Sequence, residues 1–198
     1  MTRTPATLEQ LAAAAQQCQA CDLYKNATQA VLGAGPARAR VLMVGEQPGD
    51  KEDLAGKPFV GPAGRLLDQA LQDVGIVRAD VYLTNAVKHF KFEERGKRRI
   101  HKKPSASEIE ACHPWLDAEL ALIRPKITVC LGATAARAVF RQPRAVLKDR
   151  GRFFELPAAG LVTVTVHPSS VLRSDPAQRA KDYEAFLQDL RGVRERMK

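Results

Sequence analysis

The stretch Val41-Leu42-Met43-Val44-Gly45-Glu46-Gln47-Pro48-Gly49-Asp50 decides how the rest of the chain is read. Four apolar residues stop at a Gly/Pro turn that carries a carboxylate and an amide. Such a run reads as a strand covered on both faces, ending in a loop with polar work to do. Three more runs have the same character: Val81–Val87, Ile127–Leu131 and Leu161–Val166. Helical patterns separate them. Leu66, Leu67, Ala70, Leu71 and Val74 keep a helical period that stops at Gly75. Ser105 and Glu108 form a capping box for a helix that Pro125 ends. A last helix aligns Tyr183, Phe186, Leu187, Leu190 and Val193. Strands alternating with helices predict an α/β fold, a three-layer α/β/α domain with a central four-stranded, mostly parallel sheet. Residues 1–198 read as one domain, with no linker or internal repeat.

Ligands of such sheets bind beyond the carboxyl ends of the strands. This singles out the segments after Val44, Val87, Leu131 and Val166. After the first strand come Glu46 and Gln47, then Gly56-Lys57-Pro58-Phe59-Val60-Gly61-Pro62-Ala63-Gly64. No Gly-Lys-Ser/Thr closes that segment, so it is not a phosphate-cradling Walker loop. Asn85 stands at the second strand's end, and His167-Pro168-Ser169-Ser170 comes after the fourth. One carboxylate, two amides, an aromatic ring and a histidine make a reasonable pocket for a flat polar heterocycle. Each also has a plain alternative: Glu46 a solvated acid, Phe59 core, Asn85 a turn former, His167 a cap.

Composition narrows the class. With 45% hydrophobic and 27% charged residues in 198, the chain is an ordinary globular one. No apolar run approaches the roughly 18 residues that cross a bilayer. Glu9, Gln10, Gln16 and Gln17 break any signal-peptide core, so a cytoplasmic protein is expected. The net charge of +9 is unevenly placed. Between Lys88 and Lys103, eight basic residues against Glu93 and Glu94 hold six of those nine charges. Gly96 and Pro104 mark the segment as a loop, and such a loop fits a polyanion, most simply nucleic acid. Arg191, Arg194, Arg196 and Lys198 form a second cluster that reads as a solvated tail.

Cys18 and Cys21 form a C-x-x-C pair, and Cys112 and Cys130 complete a set of four. In a reducing compartment such a set suits tetrahedral zinc or a [4Fe–4S] cluster, and spacing does not choose between them. The bland alternative makes Cys112 and Cys130 small buried hydrophobes. His113 and His89 are expected at the surface, His113 with the further option of a substitute ligand.

Gly45-Glu46-Gln47-Pro48-Gly49, the Gly56-to-Gly64 segment, Asn85, His167-Pro168-Ser169 and the four cysteines together resemble the family 4 iron–sulfur uracil-DNA glycosylases. That family generally has Ala where this chain has Gln47, and lacks Lys97-Arg98-Arg99-Ile100-His101-Lys102-Lys103-Pro104. Both departures resemble the UdgX branch, in which a loop histidine becomes attached to the DNA sugar once uracil has left. The resemblance implies a [4Fe–4S] cluster on Cys18, Cys21, Cys112 and Cys130. It implies that His167 donates to uracil O2, Phe59 stacks on the ring and Asn85 reads its edge, with Gln47 and Ser169 also lining the pocket. Glu46 would offset the sugar's positive charge, act as a base and take the second imidazole proton of the nucleophile, His101. Lys97, Arg98, Arg99, Lys102 and Lys103 would hold phosphates. The expected partner is uracil-containing DNA, preferably single-stranded, bound by a monomer.

Overall fold

The computed structural model describes residues 6–198. Four parallel strands form its centre: β1 (Val41–Gly45), β2 (Val81–Asn85), β5 (Ile127–Leu131) and β7 (Gly160–Thr165). A fifth strand, β6 (Phe153–Leu156), pairs antiparallel with β7, giving the order β2-β1-β5-β7-β6. The sheet therefore has five strands rather than four. The short run Phe153-Phe154-Glu155-Leu156 is only half-buried, and an edge strand of that kind lacks the continuous apolar signal of its buried neighbours.

Alternation along the strands divides the core into two layers. Val41 and Met43 of β1, with Val81, Leu83, Ile127 and Val129, face α3 (Pro62–Asp73) and α8 (Pro176–Arg196). Leu42 and Val44, with Tyr82, Cys130, Val162 and Val164, face α4 (Ala106–Ile123) and α5 (Ala133–Phe140). An N-terminal helix, α1 (Leu8–Ala15), packs on the outside of α4 through Leu11 and Ala15. No described helix is long and apolar enough to cross a membrane.

The basic segment is not a loop. Residues Phe92–Arg95 (β3) and Arg98–His101 (β4) form an antiparallel hairpin that pairs Phe92 with His101 and Glu94 with Arg99. Gly96 at φ +59 supplies the left-handed residue that a two-residue hairpin turn demands. The sequence shows a glycine among charges; the strand pairing shows what that glycine is for.

Candidate active site

The carboxyl ends of β1, β2, β5 and β7 open into one cavity of about 770 Å³. Glu46, Gln47, Phe59, Asn85, His101, Lys103, His167 and Ser169 all line it, so eight of the residues singled out from sequence meet in one place. Asn85 is buried at the end of β2. Among the described residues its side-chain amide has no hydrogen-bond partner, which leaves it free for a ligand. Phe59 is held at φ +57, a costly conformation for a bulky residue, and its ring stacks 6.2 Å from that of His167. Gly64 makes room for this turn: a Cβ there would lie 1.7 Å from the Phe59 carbonyl oxygen.

His167 caps the short helix α7 (Pro168–Arg173). Its Nδ1 accepts from the Ser169 N–H at 3.2 Å and lies 2.7 Å from the Ser169 hydroxyl. Burial, aided by Arg173 and His101, brings its pKa down to about 4. The ring is therefore neutral near pH 7, with its proton on Nε2 and available to a ligand. Ser169, expected to line the pocket, does so while fixing that tautomer.

Glu46 is anchored by Thr134, whose hydroxyl donates to Glu46 Oε2. Thr134 is buried in the first turn of α5, just past the end of β5. Sequence reading marked that strand end without naming a residue in it, because a threonine in an alanine-rich helix start carries no signal of its own. The other oxygen, Glu46 Oε1, lies 3.6 Å from His101 Nε2. That is too long for a hydrogen bond. Glu46 thus stands beside Nε2 of His101. The pKa of His101 is lowered, first by desolvation against the protein and then by Arg173, with Glu46 opposing.

Gln47 lines the cavity, but its side-chain amide is bonded to the hairpin. Its amide nitrogen donates to the carbonyls of Lys91 and Lys102, both at 3.0 Å, and its oxygen accepts from the Lys91 N–H at 3.1 Å. Those residues flank the base of the hairpin, so one buried side chain clasps both arms. Arg99 is likewise turned inward, against its expected phosphate role. It bonds Asp50 and the fully buried Asp53, both at 2.6 Å, and lies over the rings of Phe90 and Phe92. Four of the five donors of this guanidinium are thereby engaged within the protein. Lys102 pairs with Glu93 at 2.7 Å, whereas Lys97 and Arg98 are exposed at the hairpin's far end and Lys103 at the cavity.

The cysteines divide three and one. Trp115 Nε1 donates to Cys18 Sγ at 3.1 Å, and Cys21 hydrogen-bonds Cys112. The Cys112 thiol beside it lowers the Cys21 pKa. The main chain of Lys88, just beyond β2, bonds Cys112. Cys130 lies two strands away on β5, raised by full burial, with Arg144 the charge acting on it. Adjacent strands are about 4.8 Å apart, which puts Cys130 roughly 10 Å across the sheet from β2. Cys130 therefore stands apart from Cys112, which lies beside the end of β2. Among the described residues no three His, Cys, Asp or Glu stand close enough to hold a single metal ion. His89, expected at the surface, is buried at 4% exposure, while His113 is half-buried.

Residues 32–191 match the model of the uracil DNA glycosylase superfamily. The chain is 34% identical over 186 residues to a type-4 uracil-DNA glycosylase of Archaeoglobus fulgidus, covering 90% of this chain and 89% of that one. It is 38% identical over 160 residues to the type-4 enzyme of Thermotoga maritima, with 80% of each chain covered. A type-5 uracil-DNA glycosylase of Pyrobaculum aerophilum is 32% identical over 151 residues, covering 68% of this chain and 63% of that one. With its α/β sheet and the cavity at the strand ends, the chain belongs to the uracil DNA glycosylase superfamily and, within it, to the type-4 group.

Proposed function

We propose that the protein excises uracil from DNA and captures the resulting sugar on His101, as in the UdgX branch. The observation that carries this reading is the position of His101 Nε2, 3.6 Å from Glu46 and in one cavity with Phe59, Asn85 and His167. Uracil enters the cavity as a flipped or unpaired nucleotide, which favours single strands because no pairing is broken. Phe59 stacks on the ring. The Asn85 amide donates to O4 and accepts from N3–H, a pattern that cytosine reverses. As the N1–C1′ bond breaks, its electron pair stays with uracil, and the Nε2–H of neutral His167 donates to O2. Glu46, fixed by Thr134, offsets the positive charge growing on the sugar. The lone pair of His101 Nε2 then forms a bond to C1′. The proton on Nδ1 leaves to solvent and uracil takes one up, so the charges balance.

Cys18 against Trp115, and Cys21 beside Cys112, support a metal group that ties the N-terminal segment to the sheet. An iron–sulfur cluster there would supply structure, with no part in the chemical steps.

Mixing the protein with uracil-containing single-stranded DNA and running a denaturing gel tests the reading. A shifted band is expected. Free uracil without that band would leave an ordinary turnover glycosylase, and no uracil release at all would leave a DNA-binding module. Capture needs the neutral imidazole of His101, whose pKa lies below the usual value of about 6.5. Adduct formation is therefore expected to be level from pH 7 to 8 and to fall only on acidification below about 6.5, measured by quenched time courses. Replacing Gln47 with Ala removes three hydrogen bonds that hold the hairpin. At about 1 kcal/mol each, their loss is expected to slow capture by an order of magnitude or more while uracil release changes less.

A further inference from the structure

We infer that the groove between α3, α7 and α8 carries the DNA strand away from the flipped uracil on one side, with bases on its apolar floor and phosphates on Arg65 and Arg179. The inference rests on the uracil-excision reading and says where the strand runs once it leaves the cavity. The groove has a volume of about 680 Å³ and adjoins the active-site cavity, because Pro62 and Leu172 line both. Arg173, next to Leu172 in the chain, is exposed and lines the cavity at this join. A strand whose uracil fills the cavity therefore comes directly upon the groove.

The lining suits unstacked nucleotides. Leu66 of α3, Val171 of α7 and Ala180 of α8 supply apolar surface. Tyr183 adds a ring whose hydroxyl is tied to Asp73 at 2.8 Å, which fixes the ring as a flat wall. Stacking of a base on such a ring is worth about 1–3 kcal/mol and tolerates any base. Arg65 and Arg179 are exposed in the groove, and no carboxylate is among its lining residues. By contrast, Arg99, Arg141 and Arg191 are each paired with an acid. Arg179 makes one bond, to the Ser174 carbonyl at 3.3 Å, and keeps its other donors for a ligand.

A partner protein would also meet an apolar floor. The charge here is all of one sign, however, and the groove opens from the cavity that receives DNA, which favours the substrate's own strand. Paired bases stay stacked within a duplex and cannot lie on the floor, so the groove discriminates in favour of single strands.

The test measures uracil release in single turnover by the full chain, below and at saturation, from single-stranded oligonucleotides. Uracil stands at the centre, or keeps only a single neighbour on its 5′ side or on its 3′ side. The proteins are wild type, the double variant Arg65→Ala with Arg179→Ala, and Ala180→Glu and Ala180→Lys, all changed at exposed positions. Trimming one flank, and not the other, is expected to lower the wild-type rate below saturation about tenfold. The double variant should lose as much on the centred substrate, lose nothing more on the substrate lacking that flank, and match wild type at saturation. The slope of its salt dependence should fall by about 0.7 for each phosphate contact removed. Ala180→Glu should lower the rate on the centred substrate and Ala180→Lys should not. A double variant that matches wild type on the centred substrate would overturn the inference, as would equal losses on centred and trimmed substrates. A wild type that releases no uracil from any substrate would overturn the excision reading itself, and that outcome is visible before any variant is compared.

Discussion

A His101→Ser variant is expected to form no adduct and to release both uracil and abasic DNA, turning over where the wild type stops after one event. Imidazole and water compete for C1′. A nucleophile held in position acts at effective molarities that reach about 10⁵–10⁸ M in well-oriented cases, far above that of bulk water. His101 is so held: Gln47 clasps the hairpin at its base, and Arg99, two residues away on β4, locks the strand to Asp50 and Asp53. With serine in its place the cavity opens by the volume of a ring and water reaches the cation. Its hydroxyl lacks a basic nitrogen's lone pair and is too short to reach the same point. Gel shift and turnover number together check this. An undiminished adduct in His101→Ser would place the nucleophile on another residue, and loss of uracil release as well would mean that His101 serves bond breaking rather than capture.

The two halves of this site are not equally legible in the amino-acid order. Strand ends are announced by local signals, a buried apolar run meeting Gly, Pro or Asn, and so Glu46, Asn85 and His167 can be placed together from the order of residues alone. Partnerships between distant residues are not announced. Gln47 and Lys102 are far apart in the chain, and nothing in either side chain says that one amide will bond the carbonyl of the other. Arg99 looks identical to Arg98 in a basic run. What separates them is the two-residue turn at Gly96, which fixes the register and sends Arg99 toward Asp53 while Arg98 faces solvent. The cysteines show the same limit: residue type suggests a metal, but only the strand order shows that Cys130, on β5, stands two strands from β2, whose end lies beside Cys112.

The largest loss of stability is expected from Lys88→Met, about 3–5 kcal/mol. Lys88 and Glu119 form an ion pair at 2.6 Å with 1% and 0% of their side chains exposed. The Lys88 ammonium also donates to Thr84 and to the main-chain carbonyl of Asn85. Glu119 in turn accepts from the Gly33 N–H, Tyr82 and Thr84. Methionine matches the length of lysine but strands the carboxylate in a dry core, which is why removing one partner costs far more than the pair is worth. Denaturant titrations of wild type and variant at pH 7 would measure the deficit. The double variant Lys88→Met with Glu119→Leu removes the stranded charge but leaves the Gly33 N–H and the Tyr82 hydroxyl unanswered, so it should recover only part of the loss. Because Asn85 loses the donor on its carbonyl in either variant, uracil release should slow even where the fold persists. A Lys88→Met protein of wild-type stability at pH 7 would show that the buried pair contributes nothing to the fold and that Asn85 is held by the strand alone.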